Sequence, residues 1–240
     1  MNLRVQPQDY HHFADTRAWL GIENAADTLS NLGLFAVGIM GLAFLWRERA
    51  VGASRRFGSP AEIAPYFVFF AGVLATSAGS AYYHLAPGDA RLAWDRLPMA
   101  VAFMSLLAAL IAERVSVRAG LRLLWPLVVL GAASVVYWRV SAAVGAEDLR
   151  PYVAVQFGSI AAILAIAASF RSRYTHGGAI LLAAAVYAAA KILEALDREI
   201  YALGHLASGH TLKHLAAAAG AYVVLQSLQR RRLAGRSARR

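Results

Sequence analysis

The chain has 240 residues, of which 59% are apolar and 16% charged, with no cysteine and a formal net charge of +10; its mean hydropathy is +0.48. Soluble domains carry about 25% charged residues, so this composition excludes an ordinary water-soluble globule and makes a bilayer the natural solvent. The lack of cysteine excludes disulfides, thiolate metal sites and a Cys nucleophile, leaving His, Asp, Glu and hydroxyl groups for any metal or catalytic chemistry.

A hydrocarbon core about 30 Å thick needs about 20 apolar residues per helix, so a chain of this length accommodates about seven spans with short loops. Residues 1–26 are polar, aromatic and acidic with no apolar run; they read as an extracytoplasmic segment without a cleavable signal peptide. The first predicted span covers 27–46 and exits into Arg47, Arg49, Arg55 and Arg56. The second begins near Pro60, runs through Tyr66 to Tyr83 and breaks at Ala86-Pro87-Gly88-Asp89. A third covers 95–112, with Arg114, Arg118 and Arg122 behind it, and a fourth covers 123–144 with Arg139 near its far end. Glu147, Asp148 and Arg150 form the next loop; the fifth span is 151–170, followed by Arg171 and Arg173. The sixth covers 177–196 and ends in Asp197, Arg198 and Glu199, and the seventh covers 208–228. A basic tail over 229–240 holds Arg230, Arg231, Arg232, Arg236, Arg239 and Arg240.

The expected fold is therefore all-α, a seven-transmembrane helix bundle over 27–228. Fifteen basic residues follow the odd-numbered spans, against five on the other side at Arg4, Arg17, Arg91, Arg150 and Arg198. Positive charge is retained inside, which puts the tail in the cytoplasm and the N-terminus outside. Arginines sorted this way call for a bilayer and not for a nucleic-acid partner. The Ala- and Arg-rich usage points to a bacterial inner membrane.

Ionisable side chains within spans cost several kcal/mol unless paired or functional. Those in this chain gather toward one face: Ser80 and His84 at the end of the second span, Asp95 at the start of the third, Lys191 and Glu194 late in the sixth, and His210, Lys213 and His214 at the start of the seventh. His210 and His214 are four apart and project from one face of a helix, so they can chelate one ion. With His84 they make three nitrogen ligands and leave a fourth tetrahedral position for water, the pattern of a catalytic zinc. Zinc brings the pKa of such a water to about 7, and Asp95 is positioned to exchange its proton. Plainer readings accompany these. The paired histidines can hydrogen-bond across helices, Asp95 can cap its helix with Pro98 in the first turn, and Ser80 can be a packing serine. Lys191 and Glu194 can neutralise each other, and Lys213 can be a network residue. His11, His12 and His176 lie outside the apolar runs, and His205 reads as a loop residue.

Gly79-Ser80-Ala81-Tyr82-Tyr83-His84, Trp94-Asp95-Arg96-Leu97-Pro98-Met99 and His210-Thr211-Leu212-Lys213-His214 together resemble the alkaline ceramidase family. That family belongs to a seven-span superfamily that includes the adiponectin and progestin receptors. Its pattern is Ser-x3-His at the end of span two, Asp at the start of span three and His-x3-His in the last span. The family's Asp-Glu-Leu-Pro-Met is matched here with Arg96 in place of Glu. The resemblance implies hydrolysis of the amide bond of ceramide-like N-acyl lipids to a fatty acid and a long-chain base. It implies zinc on His84, His210 and His214, Asp95 as general acid and base, and Ser80 as a donor near the metal or the developing oxyanion. It also implies a calcium site before span one, where Asp15, Trp19, Glu23 and Asn24 precede Ser30-Asn31-Leu32. Calcium takes six to eight oxygens, this segment offers few carboxylates, and Asn24 stands where the family has Glu.

Three functions compete on these residues. The first is a zinc amidohydrolase acting on a membrane lipid, with another lipid amide or ester as a variant substrate. The second is a zinc-containing receptor or signalling protein. The third is an ion or proton transporter, which would string its charges across the bilayer instead of collecting them near one face.

Overall fold

The computed structural model describes residues 4–51 and 56–234. Arg55 of the first basic loop and Arg236, Arg239 and Arg240 of the tail lie outside the described residues. The named elements are all helices: α1 (Ala25–Ser30), α2 (Leu32–Val51), α3 (Ile63–Leu85), α4 (Asp89–Arg114), α5 (Val117–Ala143), α6 (Arg150–Ser169), α7 (Ala179–Ala195), α8 (Asp197–Ala202) and α9 (Gly209–Arg230), with short 3-10 turns at Gln8–His11 and Pro60–Glu62.

Five stretches are long and apolar enough to cross a membrane: Ala25–Val51, which joins α1 and α2, then Pro60–Leu85, α4, α5 and α6. Helix α7 has 17 residues. Helix α9 has 22, but its first two turns carry His210, Lys213 and His214, so the side chains with chemistry are the ones that lower its hydropathy. Many large apolar residues face outward, among them Trp46, Trp125, Val129 and Leu182. Water penalises such a surface and hydrocarbon does not.

The helices close into a bundle. Helix α3 packs between α2 and α4, α4 also packs on α5 and α6, and α9 joins α2 to α7. Helix α7 touches α6 only lightly, with Gln156 Nε2 donating to Tyr187 Oη at 2.8 Å across that seam. Small residues allow the tightest crossings. A Cβ on Gly79 would stand 2.1 Å from the carbonyl oxygen of Trp94, and that carbonyl is the one Pro98, with no N–H, leaves without its helical donor. Glycine on α3 thus seats the free carbonyl of α4 and brings the Ser80–His84 turn against Asp95. At the other side of the same end, a Cβ on Gly209 would lie 2.1 Å from the carbonyl oxygen of Leu193, so only glycine lets α9 start against α7.

The sequence places Asp95 at a helix start and Pro98 in its first turn. Helix α4 begins instead at Asp89, which corrects that reading: Asp95 is the seventh helical residue and cannot be the cap. The Pro-Gly break is only three residues long, because Asp89 itself enters the helix.

Candidate metal centre

The last turn of α3 delivers His84, and the first turns of α9 deliver His210 and His214. The three rings form a nearly equilateral triangle, with centroids 4.9 Å apart for His84–His210 and 5.0 Å for both other pairs. One nitrogen from each lies within 4.8 Å of the others. All three residues are buried, at 0, 4 and 5% exposure.

Buried polar atoms nearly always have a partner, and orphans require a reason. Both nitrogens of His84 and Nε2 of His210 have none. The state of His214 follows from its neighbour: the Ser30 hydroxyl donates to the Asp27 carbonyl at 2.9 Å, so its oxygen accepts from His214 Nδ1–H at 2.8 Å. This fixes the tautomer and leaves the lone pair of Nε2 for the triangle, the arrangement by which an outer hydrogen bond orients a metal-binding imidazole. Three converging imidazoles, two of them with unpartnered nitrogens, fit a borderline metal ion such as zinc. A tetrahedral ion needs its nitrogens about 3.4 Å apart, a small side-chain adjustment from the observed triangle. The three histidines could hold a metal ion.

The surroundings fix this geometry through contacts far apart in sequence. Asp27 is fully buried, and its Oδ1 accepts from Thr211 Oγ1 at 2.6 Å and from Ser208 Oγ at 3.3 Å. Ser208 also caps α9 by accepting from Thr211 N. The Asp197 carboxylate accepts from His210 N at 2.7 Å and from Ala14 N at 2.9 Å, which ties the N-terminal segment to the start of α9. That segment crosses the site: Phe13 packs on His84 and His210, with centroids 4.7 and 4.5 Å apart.

The other expected site residues are distributed as follows. Ser80 Oγ lies 3.5 Å from His214 Nε2, and Asp95, 7% exposed, lines the same cavity as Ser80 and His214. Glu194 pairs with Lys191 and with Lys213, the latter at 2.6 Å, and accepts from Tyr10 Oη at 2.9 Å. Lys191 and Glu194 therefore do pair, as one plain reading expects, and Lys213 joins them as a bridge from α9 to α7. Burial, reinforced by the Glu194 carboxylate, pushes the Tyr10 hydroxyl well above the ordinary phenol range, so it remains a donor. Among the residues of the expected calcium site, the Asp15 carboxylate takes Arg17 Nε at 2.8 Å and Nη2 at 2.7 Å, and this hydrogen bonding holds it below the usual carboxylate range. Trp19 is exposed in a tight turn, Glu23 is exposed, and Asn24 Nδ2 donates to the His84 carbonyl at 2.8 Å. Asn24 thus holds the His84 backbone.

A cavity of about 370 Å³ reaches the His214 side of the triangle. Its polar end is walled by Tyr10, Asp95, Arg96, Glu194 and Lys213; farther in, Phe69, Leu106, Ile163, Ile180 and Val224 make it apolar. Phe157 and Tyr187 bring the light α6–α7 seam into its wall. Sequence reading missed Tyr10, Phe13, Asp27, Ser30 and Arg96 as contributors. The signal for Asp27 was present, since an acid at the start of an apolar run needs a partner; the N-terminal segment has no periodicity to read.

The fold and the site together define an all-helical chain with an apolar, membrane-compatible exterior and a buried three-histidine cluster at one end. No family model matches the chain, and a search of curated proteins finds no match either.

Proposed function

We propose that the chain is a multi-pass membrane amidohydrolase that uses zinc to cleave ceramide-like N-acyl lipids into a fatty acid and a long-chain base. In this reading α7 and α9 also cross the bilayer, making seven spans, and the arginine distribution sets the N-terminus and the histidines toward the outside. The observation that carries it is the cavity: a largely apolar pocket whose polar end meets the His214 edge of the three-imidazole cluster together with the Asp95 carboxyl group and the Ser80 hydroxyl. A binding pocket lined by apolar groups with a few convergent polar ones is where chemistry is sought first. The light α6–α7 seam gives a lipid tail a lateral way in, and the resemblance of the Ser80–His84, Asp95–Met99 and His210–His214 segments to alkaline ceramidases supports the same substrate class.

His84, His210 and His214 would hold the zinc, which supplies Lewis acidity toward a carbonyl and a water acidified to near neutral pKa. Asp95 takes a proton from the attacking water and returns it to the amide nitrogen as the C–N bond breaks, so that water ends as the hydroxyl of the fatty acid and a hydrogen of the amine. Ser80 donates toward the carbonyl oxygen as negative charge develops there. Lys213, anchored by Glu194, stands in the same cavity wall as Asp95.

The test is to incubate purified protein in detergent with a ceramide and an N-acylethanolamine and measure released fatty acid, alongside bound zinc. Activity that disappears in Asp95→Asn with zinc retained is the expected result. Full zinc with no hydrolysis of any acyl amide would overturn the hydrolase assignment and favour the receptor reading.

A further inference from the structure

One buried charge in the cavity wall lacks a counter-charge. Arg96 is 7% exposed and lines the cavity, and its guanidinium lies 5.5, 4.7 and 4.8 Å from the ring centroids of Tyr10, Trp138 and Tyr152. Its Nη2 donates to Gln6 Oε1 at 2.7 Å, and its Nη1 is buried without a hydrogen-bond partner. Among the described residues no carboxylate comes within ion-pair distance. Glu147, which reaches the same neighbourhood, accepts from Trp138 Nε1 and from Gln6 N instead.

The molecule contains its own control. Arg231 sits in a similar cage, 4.2, 5.0 and 4.2 Å from the rings of Phe57, Tyr66 and Tyr174, but there Glu113 lies 3.1 Å away. The same aromatic construction is therefore charge-compensated at one end and uncompensated at the other. Three cations, Arg96, Lys191 and Lys213, face two carboxylates, Asp95 and Glu194, in the cavity wall, and Glu194 takes both lysines. An unpaired cation in a low-dielectric wall is unfavourable, and a guanidinium with free donors fits a carboxylate, sulfonate or phosphate by geometry. Tyr10 sets its place: the ring faces both Arg96, at 5.5 Å, and Lys213 Nζ, at 6.0 Å, so Arg96 stands one ring away from Lys213 within the polar end that the scissile amide would occupy.

We propose that Arg96 determines specificity by selecting N-acyl lipids whose head group carries an anionic oxygen group, which accepts from the guanidinium in place of Gln6 Oε1. This rests on the amidohydrolase reading of the cavity and narrows it from neutral ceramide-like lipids to acidic ones.

The experiment uses the full chain in detergent micelles, with and without zinc, and measures binding of N-palmitoylglycine, of N-palmitoylethanolamine, which has the same amide and a neutral head, and of palmitate. The wild type should bind N-palmitoylglycine at least tenfold more tightly than the neutral amide, in the metal-free protein as well. Arg96→Gln should bring the two within twofold, and Arg96→Lys, which keeps the charge, should retain part of the preference. Equal binding of the two amides by the wild type overturns the proposal, and that comparison stands even where Arg96→Gln fails to fold. Palmitate bound as tightly as N-palmitoylglycine, with the same loss in Arg96→Gln, also overturns it by assigning the site to the released acid. Hydrolysis of the two amides is scored separately: selective binding with no cleavage defeats the hydrolase reading and leaves Arg96 as an anion site, whereas cleavage without selectivity does the reverse.

Discussion

Two buried polar clusters stand at opposite ends of the bundle, roughly 30 Å apart along α9, and they are built on opposite terms. At the end away from the histidines, Glu113 accepts from Tyr66, Ser172 and Arg231, while Glu62 accepts from Tyr174 and Arg173. Arg231, which the sequence places in a basic tail, is 2% exposed and ties the residue after α9 to Glu113, while Tyr174 bridges to Leu233. Every carboxylate of that cluster has a cation. At the histidine end three imidazoles face one another, those of His84 and His210 with unpartnered nitrogens, and the nearby carboxylates bond to backbone, hydroxyls or lysines. A cluster whose buried charges pair with one another is a clamp, and one whose nitrogens converge on a common centre is a site. The difference is one of pairing and not of burial, since Arg231 and Glu113 are buried as the histidines are.

The largest expected effect comes from the site. His84→Ala or His210→Ala should lower bound metal from about one per chain to near zero, and any hydrolysis by on the order of a thousandfold or more, since a ligand matters more than the 10- to 100-fold typical of its outer partners. Elemental analysis and fatty-acid release check this, with stability changed far less than activity. The clamp should respond the other way. Glu113→Gln leaves Arg231 buried without its carboxylate and should cost about 3–5 kcal/mol, seen as a lower unfolding midpoint with metal content unchanged; a loss of metal there would erase the distinction between the two ends. Ser30→Ala removes the hydrogen bond that fixes the His214 tautomer and should weaken metal binding by about 10- to 100-fold, measured by chelator competition.

The smallest effect concerns the strap between Asp15 and Arg17, which also reaches the Leu206 carbonyl. Asp15 is held below the usual carboxylate range by Arg17, so its contribution is fully present above the unfolded carboxylate pKa of about 4 and is lost as pH falls through the lower folded value. Asp15→Asn should therefore remove part of the acid-side fall in thermal stability below about pH 4 and leave the neutral range little changed in slope. A wild-type and variant difference confined to pH below about 4 and absent at neutral pH would contradict this sign.

Much of the framework is legible from the chain because bilayer physics demands continuous apolar runs: helices stand near all seven expected spans. The convergence of His84 with His210 and His214 also follows from local rules, four-residue spacing on one helix and alternating direction between helices. The rest rests on contacts that no period encodes. Tyr10 meets Glu194 across 184 residues, Phe13 lies on two of the histidines, and Asp27 braces α9 through hydroxyls of Ser208 and Thr211. Asp95 was misplaced as a helix start because the apolar run begins there, whereas α4 starts six residues earlier on the polar residues of the turn. Arg96 and Arg231 look like ordinary charges near span ends, and only their ring cages show them to be buried.

X-ray absorption at the zinc edge on protein purified without added metal tests the central claim most directly. The expected spectrum has three nitrogen scatterers at about 2.0–2.1 Å with imidazole outer-shell features and one light atom completing the shell, and it vanishes with the metal in His214→Ala. A protein that carries no zinc, or zinc whose ligation survives that substitution unchanged, would contradict it.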